Sequence, residues 1–351
     1  MKNFIFILII LSTLKGYSMS WDLTHKMTNN NSYTYSESND DFAFELNYQP
    51  DLSLYLWTKE SKKIDLQLVL QQQNSLVYAD EKKGEIELAL YRSLIRYSDF
   101  NYEYRVGLQQ LNFGQALILR PLQWFDNIDP RKENSESDGV YALLAKRYFL
   151  NNSNVWGWII LDDEELSDDY SIKNFGKQLE YGGRWQYPIK GSETAISIHH
   201  KRLDNSVYSY ETKLGFDVRK EMVLGFWAET SLSLYHGNHK RDYASLLTAG
   251  ADYTISLGNG IYLLTENLFM SDIKDNGYLP GKVKSTAFQL RYPISLFDSV
   301  QSLVAYDWSS EKYDIFLSYI RSYDHLTCYL NLYQNGQDDS KAIELVLETK
   351  F

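Results

Sequence analysis

The chain has almost no cysteine, little proline, no basic surplus and, past its first dozen residues, no long apolar run. The single Cys328 in 351 residues excludes an intramolecular disulfide framework. Six prolines leave a backbone N–H at nearly every position, as a chain built of ladder-bonded strands requires. No stretch after Leu11 approaches the ~20 apolar residues that a membrane helix needs. The net charge of −11 argues against a nucleic-acid partner, which calls for a basic surface. His236 and His239, with Asp242 nearby, lack a third ligand at fixed spacing, so no metal is expected, and no cofactor either.

What is abundant is aromatic. There are 29 Tyr and 8 Trp, and aromatics make up 15% of a chain whose mean hydropathy is only −0.41. A membrane barrel reconciles these values, because only alternate residues meet lipid and aromatic girdles mark both interfaces. Period-two alternation recurs along the chain. Tyr102, Tyr104, Val106 and Leu108 alternate with Glu103, Arg105 and Gly107. Leu179, Tyr181, Trp185 and Tyr187 oppose Glu180, Arg184 and Gln186; Tyr210, Leu214 and Phe216 oppose Glu211, Lys213 and Asp217. A Lys or Arg on a lipid face costs ~2–4 kcal/mol at the midplane, so the charged face is the lumen. Glu103, Arg105, Glu180, Arg184, Glu211, Lys213, Asp217 and Arg291 are the charged residues expected there.

The alternation predicts an all-β, transmembrane antiparallel barrel of about eighteen strands over 42–351, with sixteen as the alternative. Residues 42–48 and 51–58 read as the first pair, joined by a tight turn at Gln49-Pro50. Residues 20–41 read as a polar N-terminal segment, a periplasmic tail or a plug. Loop lengths support the even count: connections after even-numbered strands are short, and every long one follows an odd-numbered strand, as in barrels with short periplasmic turns. The longest connection, 111–137, is too apolar for a free loop (Leu117, Ile118, Leu119, Leu122, Trp124, Phe125, Ile128). It reads as an inward-folded constriction loop, with Arg120, Asp126, Asp129 and Arg131 lining the pore.

The two ends point the same way. Lys2 followed by Phe4–Leu11 and small residues near Gly16–Ser20 predicts a secretory signal peptide over 1–19. The last strand carries Leu345, Leu347 and terminal Phe351 on one face, and it resembles the C-terminal assembly signal of bacterial outer-membrane barrels. That resemblance implies the outer membrane of a Gram-negative bacterium, with membrane lipid, lipopolysaccharide and the barrel-assembly machinery as partners.

A shorter stretch resembles the alginate-export type of porin-like barrel: Gly107, Gln109, Phe113, Gly114, Arg120, Trp124, Asp126, Asp138, Gly139 and Val140. Leu108 stands where that family has an arginine. The resemblance implies eighteen strands and a lumen that passes an anionic saccharide. The expected function is therefore passive diffusion or export of a hydrophilic solute through a charged constriction. A plugged barrel that organises surface polysaccharide is the alternative, and an outer-membrane hydrolase at Ser197 and His199 the third reading. No enzymatic activity is expected.

Overall fold

The computed structural model describes residues 19–35, 40–78, 82–126, 128–131, 137, 139–161, 179–203, 208–237, 241–271, 282–336 and 339–351. Residues 1–18 of the expected signal peptide (1–19), Asp138 and His239 lie outside them. Eighteen strands follow in order: β1 Ser20–Tyr35, β2 Asp41–Lys59, β3 Lys62–Tyr78, β4 Lys82–Ser98, β5 Tyr102–Gln109 and β6 Val140–Tyr148. Next come β7 Asn154–Leu161, β8 Leu179–Ile189, β9 Ser192–Arg202, β10 Tyr210–Glu221, β11 Gly225–His236 and β12 Arg241–Ile255. The last six are β13 Ile261–Ser271, β14 Lys282–Pro293, β15 Asp298–Asp307, β16 Lys312–Ser322, β17 Leu326–Gln334 and β18 Lys341–Lys350.

Each strand pairs antiparallel with its neighbours, and β1 pairs with both β2 and β18, so the sheet closes on itself. Closure satisfies the backbone without an edge, which a membrane span demands. At the seam, Phe351 N–H donates to His25 O at 3.0 Å and His25 N–H to Phe351 O at 2.8 Å. The Phe351 ring stacks on His25 with centroids 5.2 Å apart. Leu345 and Leu347 pair with Asn31 and Asn29 of β1.

The expected count of eighteen holds, but the first pair was misplaced. Ser20–Tyr35 is β1, not a tail or plug. Residues 42–48 and 51–58 form one strand, β2, which runs through Pro50. Proline cannot donate to a ladder. Accordingly β3 partners Tyr48 and Asp51 but neither Gln49 nor Pro50, while on the other side β1 pairs His25 with Pro50. One strand gained and one merged left the loop parity intact.

Short turns close the β8–β9 and β4–β5 hairpins. Lys190 and Gly191 both take left-handed φ (49° and 78°) between Ile189 and Ser192, the backbone of a two-residue turn whose twist matches the strands. In the β4–β5 turn, Asp99 Oδ1 accepts N–H bonds from Asn101 and Tyr102, both at 2.8 Å. The Asn101 bond leads in holding the Asp99 carboxyl below its usual range.

Outward residues such as Val106, Ile196, Ile198, Phe216 and Leu317 stay exposed, while the interleaved residues turn inward. Strands β1 to β4 are 16 to 19 residues long, against the ~9–11 needed to cross the hydrocarbon. By contrast β5 has 8 residues and pairs only Ser93–Ser98 of β4.

Candidate functional site: a loop held inside the barrel

The chain between β5 and β6 turns into the lumen and packs along the wall. Leu111, Phe113 and Leu122 are buried with Ala142 and Leu144 of β6 and Trp158 and Ile160 of β7. Further along, Ala116 packs with Trp227 and Leu264, and Ile118 and Leu119 rest on Ala287, Leu303 and Phe316. The loop thus covers the wall from β6 to β16. Burying Leu122 to 1% exposure contributes about 1.5–3 kcal/mol by itself.

Apolar contact alone leaves backbone N–H groups unanswered in the interior. Two carboxylates answer them. Glu229 of β11 accepts from Gln115 N (2.7 Å) and Ala116 N (2.9 Å) at Oε2, and from Leu122 N (2.6 Å) at Oε1. Glu266 of β13 accepts from Leu117 N (2.7 Å) at Oε1, and from Ile118 N (3.0 Å) and Leu119 N (2.6 Å) at Oε2. Trp227 Nε1–H adds a fourth bond to Glu266 at 2.8 Å. Both carboxylates are wholly buried. Five successive amides, 115 to 119, form the kind of N–H concavity that binds anions, and here the anions belong to the wall. Net of desolvation, such bonds are worth about 0.5–1.5 kcal/mol each. Thr248 Oγ1 donates to Leu119 O at 2.5 Å, and Trp124 Nε1 to Ser231 Oγ at 3.0 Å.

Two glycines make room for this arrangement. Gly114 has φ +113°, and a Cβ there would lie 2.4 Å from Glu229 Oε2. At Gly215 of β10 a Cβ would lie 2.6 Å from Leu122 Cδ2. An aromatic cluster fills the β7–β9 side: Phe113 stacks on Trp158 at 5.5 Å, and Phe125 meets His199 edge-on at 4.9 Å.

The four expected constriction residues pair off within the loop. Arg120 makes a two-pronged bond to Asp126 at 2.7 and 3.1 Å. Their side chains are 11% and 1% exposed, so this pair braces the loop instead of lining an opening. That corrects the expectation for both: the apolar turn between them draws the charges in, where they neutralise each other. Arg131 bonds Asp129 at 2.8 to 3.2 Å and remains exposed, with its guanidinium over the Tyr333 ring at 5.7 Å. The Asp129 hydrogen bond leads in raising the Arg131 pKa above its already high ordinary value.

Most of the charged residues assigned to the lumen have short-range polar partners on the same or nearby strands. Arg184 grips Asp217 at 2.6 and 2.9 Å, donates to Ser197 Oγ at 3.0 Å, and lies over the Phe113 ring. Arg105 pairs with Glu103 at 2.8 Å. Lys201 lies 4.0 Å from both Glu180 and Glu211, and the Lys213 side chain shares the inward face of β10 with Glu211 and Asp217. Arg291 Nη2 donates to Gln301 at 3.2 Å. His199 takes a bond from Trp158 Nε1 at 3.2 Å and meets Glu180 at 2.9 Å, while Ser197 serves Arg184. The hydrolase reading needs these two residues on each other, and their hydrogen bonds point elsewhere.

Sequence reasoning missed the two anchors. Neither Glu229 nor Glu266 is marked out by its neighbours in the sequence. Their partners lie 107 to 149 residues away in the chain, and the one local hint is the small pair Gly114 and Ala116 placed where carboxylates approach.

No family model matches the chain, and no curated protein matches it. Solved structures do. OccK2 (OpdF) of Pseudomonas aeruginosa, solved in complex with glucuronate, superposes with TM-score 0.60 at 9% identity, covering 95% of this chain and 96% of that one. OccAB1 of Acinetobacter baumannii gives 0.58 at 9%, covering 96% and 98%. An anion-selective porin from Comamonas acidovorans gives 0.52 at 10%, covering 95% and 100%. At this identity the likeness is one of fold: the chain has the eighteen-stranded architecture of outer-membrane porins.

Proposed function

We propose that the chain is an outer-membrane channel through which a hydrophilic solute diffuses passively, with the loop between β5 and β6 setting the aperture. The observation that carries this reading is the loop fastened inside a closed barrel by Glu229 and Glu266. A fixed inner loop narrows the lumen without any reacting group, so selection is steric and electrostatic. The apolar outward face supports membrane lipid and lipopolysaccharide as surroundings, and the β1–β18 seam supports insertion by the barrel-assembly machinery.

The glucuronate complex and the anion selectivity belong to the neighbours. Among the described loop residues, Arg120 and Arg131 are matched with acids at short range, which supports a hydrophilic solute more than a strongly anionic one. The stretch resembling alginate-export barrels falls largely on residues that hold the loop, among them Gly114, Arg120, Trp124 and Asp126. It bears on how the loop is fastened. Purified protein in a planar bilayer tests the reading: stable open conductance supports it, a silent barrel favours a plugged structural role, and turnover of lipid or ester substrates favours a hydrolase.

A further inference from the structure

The wall is not uniform, and the gap between β4 and β6 past the end of β5 holds a cavity that the loop does not fill. A space of about 350 Å³ opens where β4 outruns the end of β5. That lies within the roughly 300–1,000 Å³ of small-molecule sites. Its polar lining is Gln71 and Gln73 of β3 with Glu87 of β4, and its aromatic lining is Tyr91 and Tyr141. Gln73 pairs directly with Glu87, and Gln71 with Ala89, so these side chains share one face of the hairpin. A register shift between Val69 and Leu70 sets Tyr91 out of the ladder beside them.

We propose that this cavity binds a neutral saccharide. Carboxamides both donate and accept, as sugar hydroxyls do. Two of them at alternate strand positions stand about 7 Å apart, so each meets a different hydroxyl of one pyranose ring. Glu87 is exposed and accepts hydroxyl protons. The tyrosines offer flat apolar faces to the ring's C–H groups, with polar edges. An anionic sugar would instead meet the Glu87 carboxylate. The nearby cation cannot offset it: Arg92 is buried, donates to the Tyr91 and Ser137 carbonyls, and lies over the Tyr91 ring at 4.1 Å. Tyr91 itself donates to Ser137 O at 3.1 Å, so the cavity wall is tied to the returning limb of the inner loop.

The proposal names a solute class for the channel and rests on that reading only for one of its two tests. In a planar bilayer, millimolar sucrose should interrupt the ion current, and glucuronate should do so less. Gln71→Ala/Gln73→Ala should weaken the sucrose effect about tenfold, the loss of two hydrogen bonds at the low end of their net worth, with the heat-modifiable folded band on gels unchanged. Calorimetry on detergent-solubilised protein should give the same ranking without requiring conduction. A silent bilayer with calorimetric sucrose binding that the double variant weakens keeps the cavity and removes the channel. An open channel that binds no sucrose, binds glucuronate more tightly, or binds sucrose equally well in the double variant overturns the cavity.

Discussion

Compare the wall behind the loop, β6 to β16, with the wall of β18 and β1 to β4. Both are studded with carboxylates, yet the acids take different partners: loop amides on one wall, side chains of neighbouring strands on the other. Behind the loop, Glu229 and Glu266 are wholly buried and spend their oxygens on loop amides and an indole. On the other wall, Asp51 accepts from Gln67 at 2.8 Å, Glu344 from Asn30 at 2.7 Å, and Glu87 is exposed. A carboxylate's meaning in a barrel therefore depends on what faces it across the lumen. Counting inward charges does not give selectivity.

Substitutions in the loop and in the wall behind it should separate these roles. The largest effect is expected at the Arg184–Asp217 pair, where both side chains are buried. Asp217→Asn leaves an uncompensated guanidinium and should cost roughly 3–5 kcal/mol, read as a lower temperature for loss of the heat-modifiable band. Gly114→Ala follows: the new methyl meets Glu229 and the backbone takes an unfavourable φ, so about 1–3 kcal/mol of strain should appear as a noisier open channel. Arg131→Ala is the smallest. Removing an exposed cation bonded to Asp129 should alter stability by less than about 1 kcal/mol and shift reversal potentials modestly toward cations. A change in selectivity at Asp126→Ala larger than at Arg131→Ala would contradict the burial of the Arg120–Asp126 pair.

The fold was largely legible because alternation and loop parity are local consequences of a two-sided strand. Tyr102–Gln109 announces itself in eight residues, and the Arg or Glu on its second face says which side is wet. β1 did not, since Asn29 and Asn31 interrupt the apolar face at the seam. Pro50 read as a turn, although Phe44, Leu46, Tyr48, Leu52 and Leu54 keep one parity straight through it. The inner loop was legible from its apolar content. Its fastening was not: a Glu on a lumen face looks the same whether it meets water or three backbone amides from another part of the chain. The same blindness misread Arg120 and Asp126, whose mutual bond needs the turn at Pro121–Phe125 to be folded.

Single-channel conductance of Glu229→Ala/Glu266→Ala protein tests most directly whether two carboxylates hold the loop in the lumen. Each substitution leaves three loop N–H groups without their acceptor, while the closed sheet is untouched. A folded, heat-modifiable barrel with larger and more fluctuating conductance than the parent is predicted. A folded double variant whose conductance and noise equal the parent's would contradict it.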